Sequence, residues 1–310
     1  MFKQLVNECV ITLYIKPNGP ILIKSGMATL IGPDMAFVQV FRNGEWQPYL
    51  PGSSLKGVLR SHAERIARTL KPGSACNPFL KDSDDISCGN RLDDEDKERK
   101  GHHQNQLTPQ ESYHMMCPIC RLFGSTYYGG RLATTDAYAV GVVPRPQQRD
   151  GVGIDRFTGG SYSGAKFDLE VVVDGTFEAR LHIRNYELWQ LGLVGFLLQD
   201  MADGLIRVGS GKSRGLGAVV GEVKRIEVHT IGPHAPKPVE GKLALKGVGA
   251  LFDGAAEYGM MVNEPEVSAP FAGPPGGNAV RAMYAFENAA FPWADLGQRW
   301  IDFIDHYQRA

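Results

Sequence analysis

The sequence predicts an α+β fold, an antiparallel sheet with two helices on one face. Three observations lead there. Short β-rich runs recur at residues 6–14, 131–140, 165–173, 176–183 and 218–228. Two stretches of helical period separate them, one from about Ser53 to Leu70 and one from Tyr186 to Asp203. The resulting order is β–α–β, hairpin, α–β, interrupted by long insertions.

The first run, Val-Asn-Glu-Cys-Val-Ile-Thr-Leu-Tyr at residues 6–14, reads as strand one, with Cys9 expected as a small buried apolar side chain. Residues 16–50 form a long excursion with an Asn43-Gly44 hairpin signal and a turn aspartate, Asp34, in Gly32-Pro33-Asp34-Met35. Pro51 and Gly52 then turn into helix one, where Ser53 or Ser54 is expected to cap. Leu55, Val58, Leu59, His62, Ala63, Ile66, Ala67 and Leu70 share one arc of that helix and predict a buried face. Lys56 and Arg60 flank it one turn apart. Small residues, free N–H groups and two cations at a helix start suit phosphate.

Residues 71–130 read as a polar insertion with little core of its own. Its charged runs, Asp82–Asp85 and Asp93–Lys100, are expected on a solvated surface. A glycine-rich loop at 151–164 precedes two β-runs joined by Asp174-Gly175, a type I′ hairpin signal. Helix two is apolar on most sides, so it should be well buried. A second glycine loop spans Gly204 to Gly217, and the last core strand follows. The whole is a ferredoxin-like, RNA-recognition-type core over residues 1–230, with the insertion at 71–130 and a further excursion at 150–184. Residues 231–310 form a C-terminal extension. It begins as a Pro/Gly/Ala-rich arm and ends in a docking helix, with Leu296, Trp300, Ile301, Ile304 and Tyr307 on one stripe.

Composition narrows the function. The chain has 310 residues, 43% of them hydrophobic, and a formal net charge of -1. There is no global basic field, so any nucleic acid must meet clustered cations. No run of 18 apolar residues occurs, so no membrane partner is expected. The first residues lead straight into a strand without a signal-peptide pattern, and a cytoplasmic location is the expectation. Thiols stay reduced there, and clustered cysteines then point to metal or catalysis.

Four of the five cysteines lie in the insertion. Cys117-Pro118-Ile119-Cys120 is a C-x2-C knuckle, and Cys76 and Cys88 lie upstream. Four thiolates suit a tetrahedral, structural Zn²⁺, with a Cys3His set through His114, His102 or His103 as the alternative. A redox C-x-x-C would open the helix of a βαβ unit, which this one does not. Gly211-Lys212-Ser213 imitates a nucleotide-binding P-loop, yet Ile206 stands where the P-loop glycine is required. Lys212 and Arg214 on a loop of exposed amides instead suit a polyanion backbone.

Several motifs now stand in one order: Pro51-Gly-Ser-Ser-Leu-Lys-Gly57 with Leu59-Arg60; Arg131-Leu132 with Asp136-Ala137; Ile154-Asp-Arg-Phe-Thr-Gly159 with Gly164-Ala165 and Phe167-Asp168; and Gly209-Ser-Gly-Lys-Ser-Arg-Gly-Leu-Gly217. Over roughly residues 5–225 they resemble the RAMP superfamily of CRISPR-associated proteins, and more narrowly the backbone subunit of type III effectors. The knuckle Cys117-Pro-Ile-Cys120-Arg-Leu-Phe-Gly124 looks like the zinc-bearing domains of the type III-D and III-E branch.

The resemblance implies a guide-RNA-binding subunit of a ribonucleoprotein complex in antiviral defence. Its partners would be guide RNA, target RNA, other effector subunits and copies of itself or related proteins. Gly52, Ser53, Ser54, Lys56 and Arg60, with Lys212 and Arg214, would grip the guide backbone. Residues 154–164 and a following hairpin would form a thumb between guide and target. Arg156, Phe157 and Tyr162 would contact RNA there, the two aromatic rings as a wedge. Asp34 sits in the loop where cutting members carry an aspartate, which implies a target-RNA endonuclease using Mg²⁺ or another divalent cation. A non-cleaving structural subunit is the alternative. A zinc-dependent enzyme lacks an open His/Glu ligand pattern.

Overall fold

The computed structural model describes residues 4–26, 32–80, 87–102, 104–232 and 235–308. The acidic run Asp82–Asp85, His103 and the first three residues lie outside them.

Alternation in strand β1 (Asn7–Pro17) sets the layers. Cys9, Ile11, Leu13 and Ile15 are buried to within 1% on one face, while Thr12 and Tyr14 turn to the other. The excursion that follows carries the hairpin β2 (Gln39–Arg42) and β3 (Glu45–Pro48), turned by Asn43 and Gly44, both with positive φ as that dipeptide favours. Helix α1 (Gly52–Leu70) comes next. The insertion holds helices α2 (Cys88–Gly101), α3 (Pro109–Met115) and α4 (Pro118–Phe123). Strands β4 (Leu132–Thr134) and β5 (Tyr138–Ala139) lead to β6 (Gln147–Ile154), β7 (Ser161–Val171) and β8 (Phe177–Arg184). Helix α5 (Leu188–Ala202) and β9 (Val219–Ile231) complete the core.

Strand β1 is central and pairs antiparallel with β8 and β9, and β4 pairs with β8. The order β9-β1-β8-β4 is that of a ferredoxin-like sheet, so the expected α+β class holds. Helices α1 and α5 pack together, and α5 lies on β9.

Three local expectations are corrected. The run 165–173 does not pair with 176–183 across Asp174-Gly175. Strand β7 instead pairs with β6 in a separate two-stranded ribbon, and β8 joins β1. Burial decides this. Phe177, Ala179, Leu181 and Ile183 alternate as a buried face that needs the central sheet, whereas β7 is exposed or half-buried until Val171. The turn signal marks a chain reversal without naming the partner. The glycine-rich stretch at 151–164 is correspondingly no loop but most of that ribbon and its tip.

The insertion, read as having little core of its own, is among the described residues folded onto the main core, while most charges of Asp93–Lys100 stay exposed as expected. Leu92, Leu107, Tyr113, Met116, Ile119, Leu122 and Phe123 are buried and continuous with the main core. The charged run Asp93–Lys100 is wound into α2, where Lys97–Asp93, Arg99–Glu95 and Lys100–Asp96 pair at i,i+4 spacing. Buried Arg131 ties the insertion to α5. It stacks over the Tyr113 ring and donates to Gln190 Oε1 at 3.1 Å, beside Glu187.

The C-terminal arm packs on the core. It carries the small hairpin β10 (Lys242–Leu245) and β11 (Val267–Pro270), then β12 (Ala272–Asn278) and β13 (Arg281–Phe286). Strand β13 pairs with β9 and lengthens the sheet. The final helix α6 (Trp293–His306) docks on α5, as its stripe predicts, with Trp300 against Trp189 and Phe303 stacked on Trp189 at 4.1 Å. Gly192 makes the approach possible: a Cβ there would stand 2.0 Å from Leu296 O.

Candidate nucleic-acid interface and metal centre

Helix α1 begins under tertiary control. Leu50 and Ala137 exchange backbone hydrogen bonds, and the next free donor, Gly52 N–H, goes to Asp136 Oδ1 at 2.7 Å. Thr134 Oγ1 donates to Gly52 O at 2.6 Å. A Cβ at position 52 would meet Thr134 O at 2.8 Å, so the strand and helix close only over glycine. The expected serine cap is therefore corrected. Pro51 occupies the cap position and makes no side-chain bond, and Asp136, from the segment between β4 and β5, serves in its place. Its carboxylate partly offsets the positive helix start. Ser53 is exposed and Ser54 half-buried.

The second glycine loop follows the same logic. Gly209, Gly211, Gly215 and Gly217 all have φ between 71° and 88°, which side chains resist. Ser210 N–H donates to Leu22 O and Gly217 N–H to Pro20 O, which seats the loop on the start of the long excursion. A single turn at Lys212–Arg214 presents both cations to solvent. Lys212 is lowered by burial and then by the Arg65 guanidinium, and Lys56 by burial and then by Arg60. Lys56, Lys212 and Arg214 have no ion pair among the described residues. Ammonium groups lowered by burial and then by like charge, with no ion pair among the described residues, suit a bound polyanion.

Between this loop, the excursion and the base of the β6–β7 ribbon lies a cavity of about 460 Å³. Lys24, Met35, Arg149, Asp150, Phe167 and Arg214 are among its walls. Asp34 stands next to this wall. It is exposed, and its Oδ2 accepts from Asp168 N–H at 3.0 Å. Met35 N–H donates to Asp168 O and Glu170 N–H to Met35 O, which pins the Asp34 turn to β7. Across the ribbon Asp150 faces Asp168, and Lys166 pairs with Asp150 at 3.1 Å. The ribbon tip carries Arg156, Phe157 and Tyr162 away from the cavity walls. Phe157 is fully exposed, at 101%, and Tyr162 is 64% exposed.

The cysteines converge. The Sγ atoms of Cys76, Cys88, Cys117 and Cys120 all lie within 4.8 Å of one another, buried to within 1%. Cys76 Sγ and Cys120 Sγ are 3.5 Å apart. A tetrahedral Zn–S bond of about 2.3 Å sets sulfurs about 3.8 Å apart, so the donor set fits such an ion. Of the two ligand sets the sequence allows, the four thiols come together, while His114 is exposed against Gly259. Among the described residues no other group brings three such ligands together. Among the described residues, the carboxylates near Asp34 are not part of such a group.

Arg60 does not face outward with Lys56. Its Nη2 donates to Cys120 Sγ at 3.3 Å, Nη1 to Gly124 O at 2.9 Å and Nε to Glu64 at 3.0 Å.

The glycine loop, the glycine-started helix and the ribbon, set around one ferredoxin-like sheet, agree with a family model. The RAMP superfamily model matches residues 14–220. The chain belongs to the RAMP superfamily. No curated protein matches it. Membership implies a CRISPR-associated subunit that works with CRISPR RNA and effector subunits. No helix of this RAMP protein, among the described residues, is long and apolar enough to cross a membrane.

Sequence reading missed Arg65. It lies five residues beyond Arg60, on the other flank of the apolar arc, and after burial it is the group that lowers Lys212. Arg65 Nη2 sits 3.0 Å from His62 Nδ1, and His62 Nε2 is 2.6 Å from Asp200. Its position at the edge of the apolar arc, beside Val58 and His62, was the available signal.

Proposed function

We propose that this RAMP protein is a backbone subunit of a type III CRISPR effector, holding guide RNA by its phosphates. The cations Lys56, Lys212 and Arg214, without an ion pair among the described residues, support this reading, the last two on an exposed turn of the glycine loop. They offer charge suited to phosphate, and base pairing would be left to read sequence. Gly52 sets the approach of the α1 start, with Ser53 and Ser54 next to the RNA. Arg156, Phe157 and Tyr162 on the ribbon tip act as the thumb wedge between guide and target. Arg60 is left out of the grip, because its donors are directed inward.

The cysteine centre holds structural Zn²⁺, which would anchor the insertion to α1 and stabilise its fold. Asp34 is the residue assigned to target cutting. Its other carboxylate oxygen would orient the attacking ribose 2′-OH, or take up Mg²⁺ together with RNA oxygens. The second reading is a guide-binding subunit that does not cut.

The test is a complex reconstituted with guide RNA and offered a complementary target. Asp34→Ala should assemble normally and leave the target intact. Unchanged cutting in that variant removes Asp34 from the site, and no cutting by the wild type selects the second reading. Failure of the wild type to retain guide RNA overturns the proposal as a whole.

A further inference from the structure

We propose that Arg60 is a positioning residue of the metal centre, the counter-cation of the metal–thiolate core. The inference rests on the cysteine cluster holding a metal, as proposed above. Four thiolates around a divalent ion carry two net negative charges. Buried charge is tolerated only when it is paired or hydrogen-bonded. The donors that reach sulfur are few. Cys117 N–H reaches Cys88 Sγ at 3.3 Å and Cys120 N–H reaches Cys117 Sγ at 3.5 Å, both neutral amides. Arg60 brings a full positive charge to Cys120 Sγ.

The guanidinium is held at its other corners too. Glu64 accepts from Nε and Gly124 O from Nη1, so the fork points at sulfur in one orientation. Glu64 also pairs with Arg68 at 3.8 Å, and Arg68 donates to Cys76 O at 2.7 Å and Ala75 O at 3.2 Å. Arg60, Glu64 and Arg68 are spaced at i, i+4 and i+8 on α1. One stripe of the helix thereby touches both halves of the cluster, the Cys76 turn and the Cys117–Cys120 knuckle. An N–H···S bond from a cation withdraws charge from the thiolate and makes it a poorer target for protons and chelators. The helix whose start is assigned to the guide is braced on the metal centre by its next turn.

The experiment uses the full chain loaded with Co²⁺, whose thiolate charge-transfer bands report the sulfurs. Release of Co²⁺ to a chelator is timed for wild type, Arg60→Met and Arg60→Lys. Arg60→Met should release metal about 10- to 100-fold faster, with a shifted charge-transfer band. Arg60→Lys, which keeps the charge but not the fork, should fall between. The salt dependence of RNA binding by loaded Arg60→Met should match the wild type. Should Arg60→Met fail to fold, the Arg60→Lys comparison carries the same decision. Wild-type protein that takes up no stoichiometric Co²⁺ overturns the metal reading and this inference together. Loaded variants with wild-type release and wild-type bands overturn this inference alone. So does a reduced salt slope with unchanged release, which would return Arg60 to the RNA.

Discussion

Asp34 Oδ2 accepts the backbone N–H of Asp168 at 3.0 Å, so the loop proposed to cut and the ribbon proposed to wedge are joined by a direct bond. Asp34→Asn keeps an acceptor for that bond but removes the charge, whereas Asp34→Ala removes both. Both should abolish target cutting. Only Asp34→Ala should speed hydrogen exchange at the Asp168 amide. Equal exchange in the two variants would show that the bond does not hold the loop in solution.

Lys212 should act as a phosphate contact. Lys212→Ala is expected to weaken guide binding about equally for all spacer sequences and to reduce the slope of log K against log salt by about 0.7, the value for one phosphate on a single strand. Arg65→Ala should act in the same direction, since its guanidinium faces the same loop. A loss that depends on spacer sequence would mean base contact instead.

Stability should respond to pH from two buried carboxyls with opposite signs. Glu264 caps α5 through Leu188 N–H at 2.7 Å and Trp189 N–H at 2.8 Å. Burial and then the Glu187 carboxylate push the Glu264 carboxyl from its ordinary 4.5 up to about 8. A raised carboxyl contributes fully below its unfolded value, and that contribution is lost as pH climbs through the folded one. Glu8 runs the other way. The His182 imidazole, 3.7 Å away, is the foremost cause, followed, against an opposing cost of burial, by the Arg281 guanidinium that donates at 2.9 Å, and the carboxyl is lowered from 4.5 to about 2. Its contribution is present above 4.5 and lost as pH falls toward 2. Thermal midpoints should therefore decline from about pH 5 to 8 in the wild type and flatten in Glu264→Gln. Glu8→Gln should instead flatten the acid limb. A Glu264→Gln profile parallel to wild type would refute the first assignment.

Asp136→Ala should cost about 0.5–2 kcal/mol, the range for losing a helix cap, although the residue lies 84 positions from the amide it serves. Denaturant unfolding measures this. A Ser53→Ala or Ser54→Ala change should cost far less, because neither side chain caps. The reverse ranking would restore the serine cap.

Removing metal should unfold the insertion before the sheet. Thiol titration after chelation should expose Cys76, Cys88, Cys117 and Cys120, while Cys9, fully buried in β1, stays protected. Protection of all five thiols without metal would count against a metal-dependent insertion.

The order of elements was legible in the chain because it is written in local periods. Alternation in β1, the apolar arc of α1 and the stripe of α6 each need only their own residues. The glycine loop and the C-x2-C knuckle were legible for the same reason: their chemistry lies within a few positions. Partner choice was not. Residues 161–171 carry strand-forming side chains, but only the absence of a buried face, judged against the whole sheet, sends them to β6. The Asp93–Lys100 run is solvated as its charge implies, but charge alone did not show that it is a helix seated on the core by Leu92 and Asp96.

For the stretch from Pro51 to Arg60, the sequence by itself determined a glycine-started amphipathic helix with cations on its flank. Tertiary structure decided what those groups meet. Gly52 faces Asp136 from the segment between β4 and β5, Lys56 is left without a partner among the described residues, and Arg60 turns to Cys120, 60 positions away. A helical period says which residues share a face, since that follows from 3.6 residues per turn. What stands opposite the face depends on contacts between distant segments, and those exist only once the chain has folded.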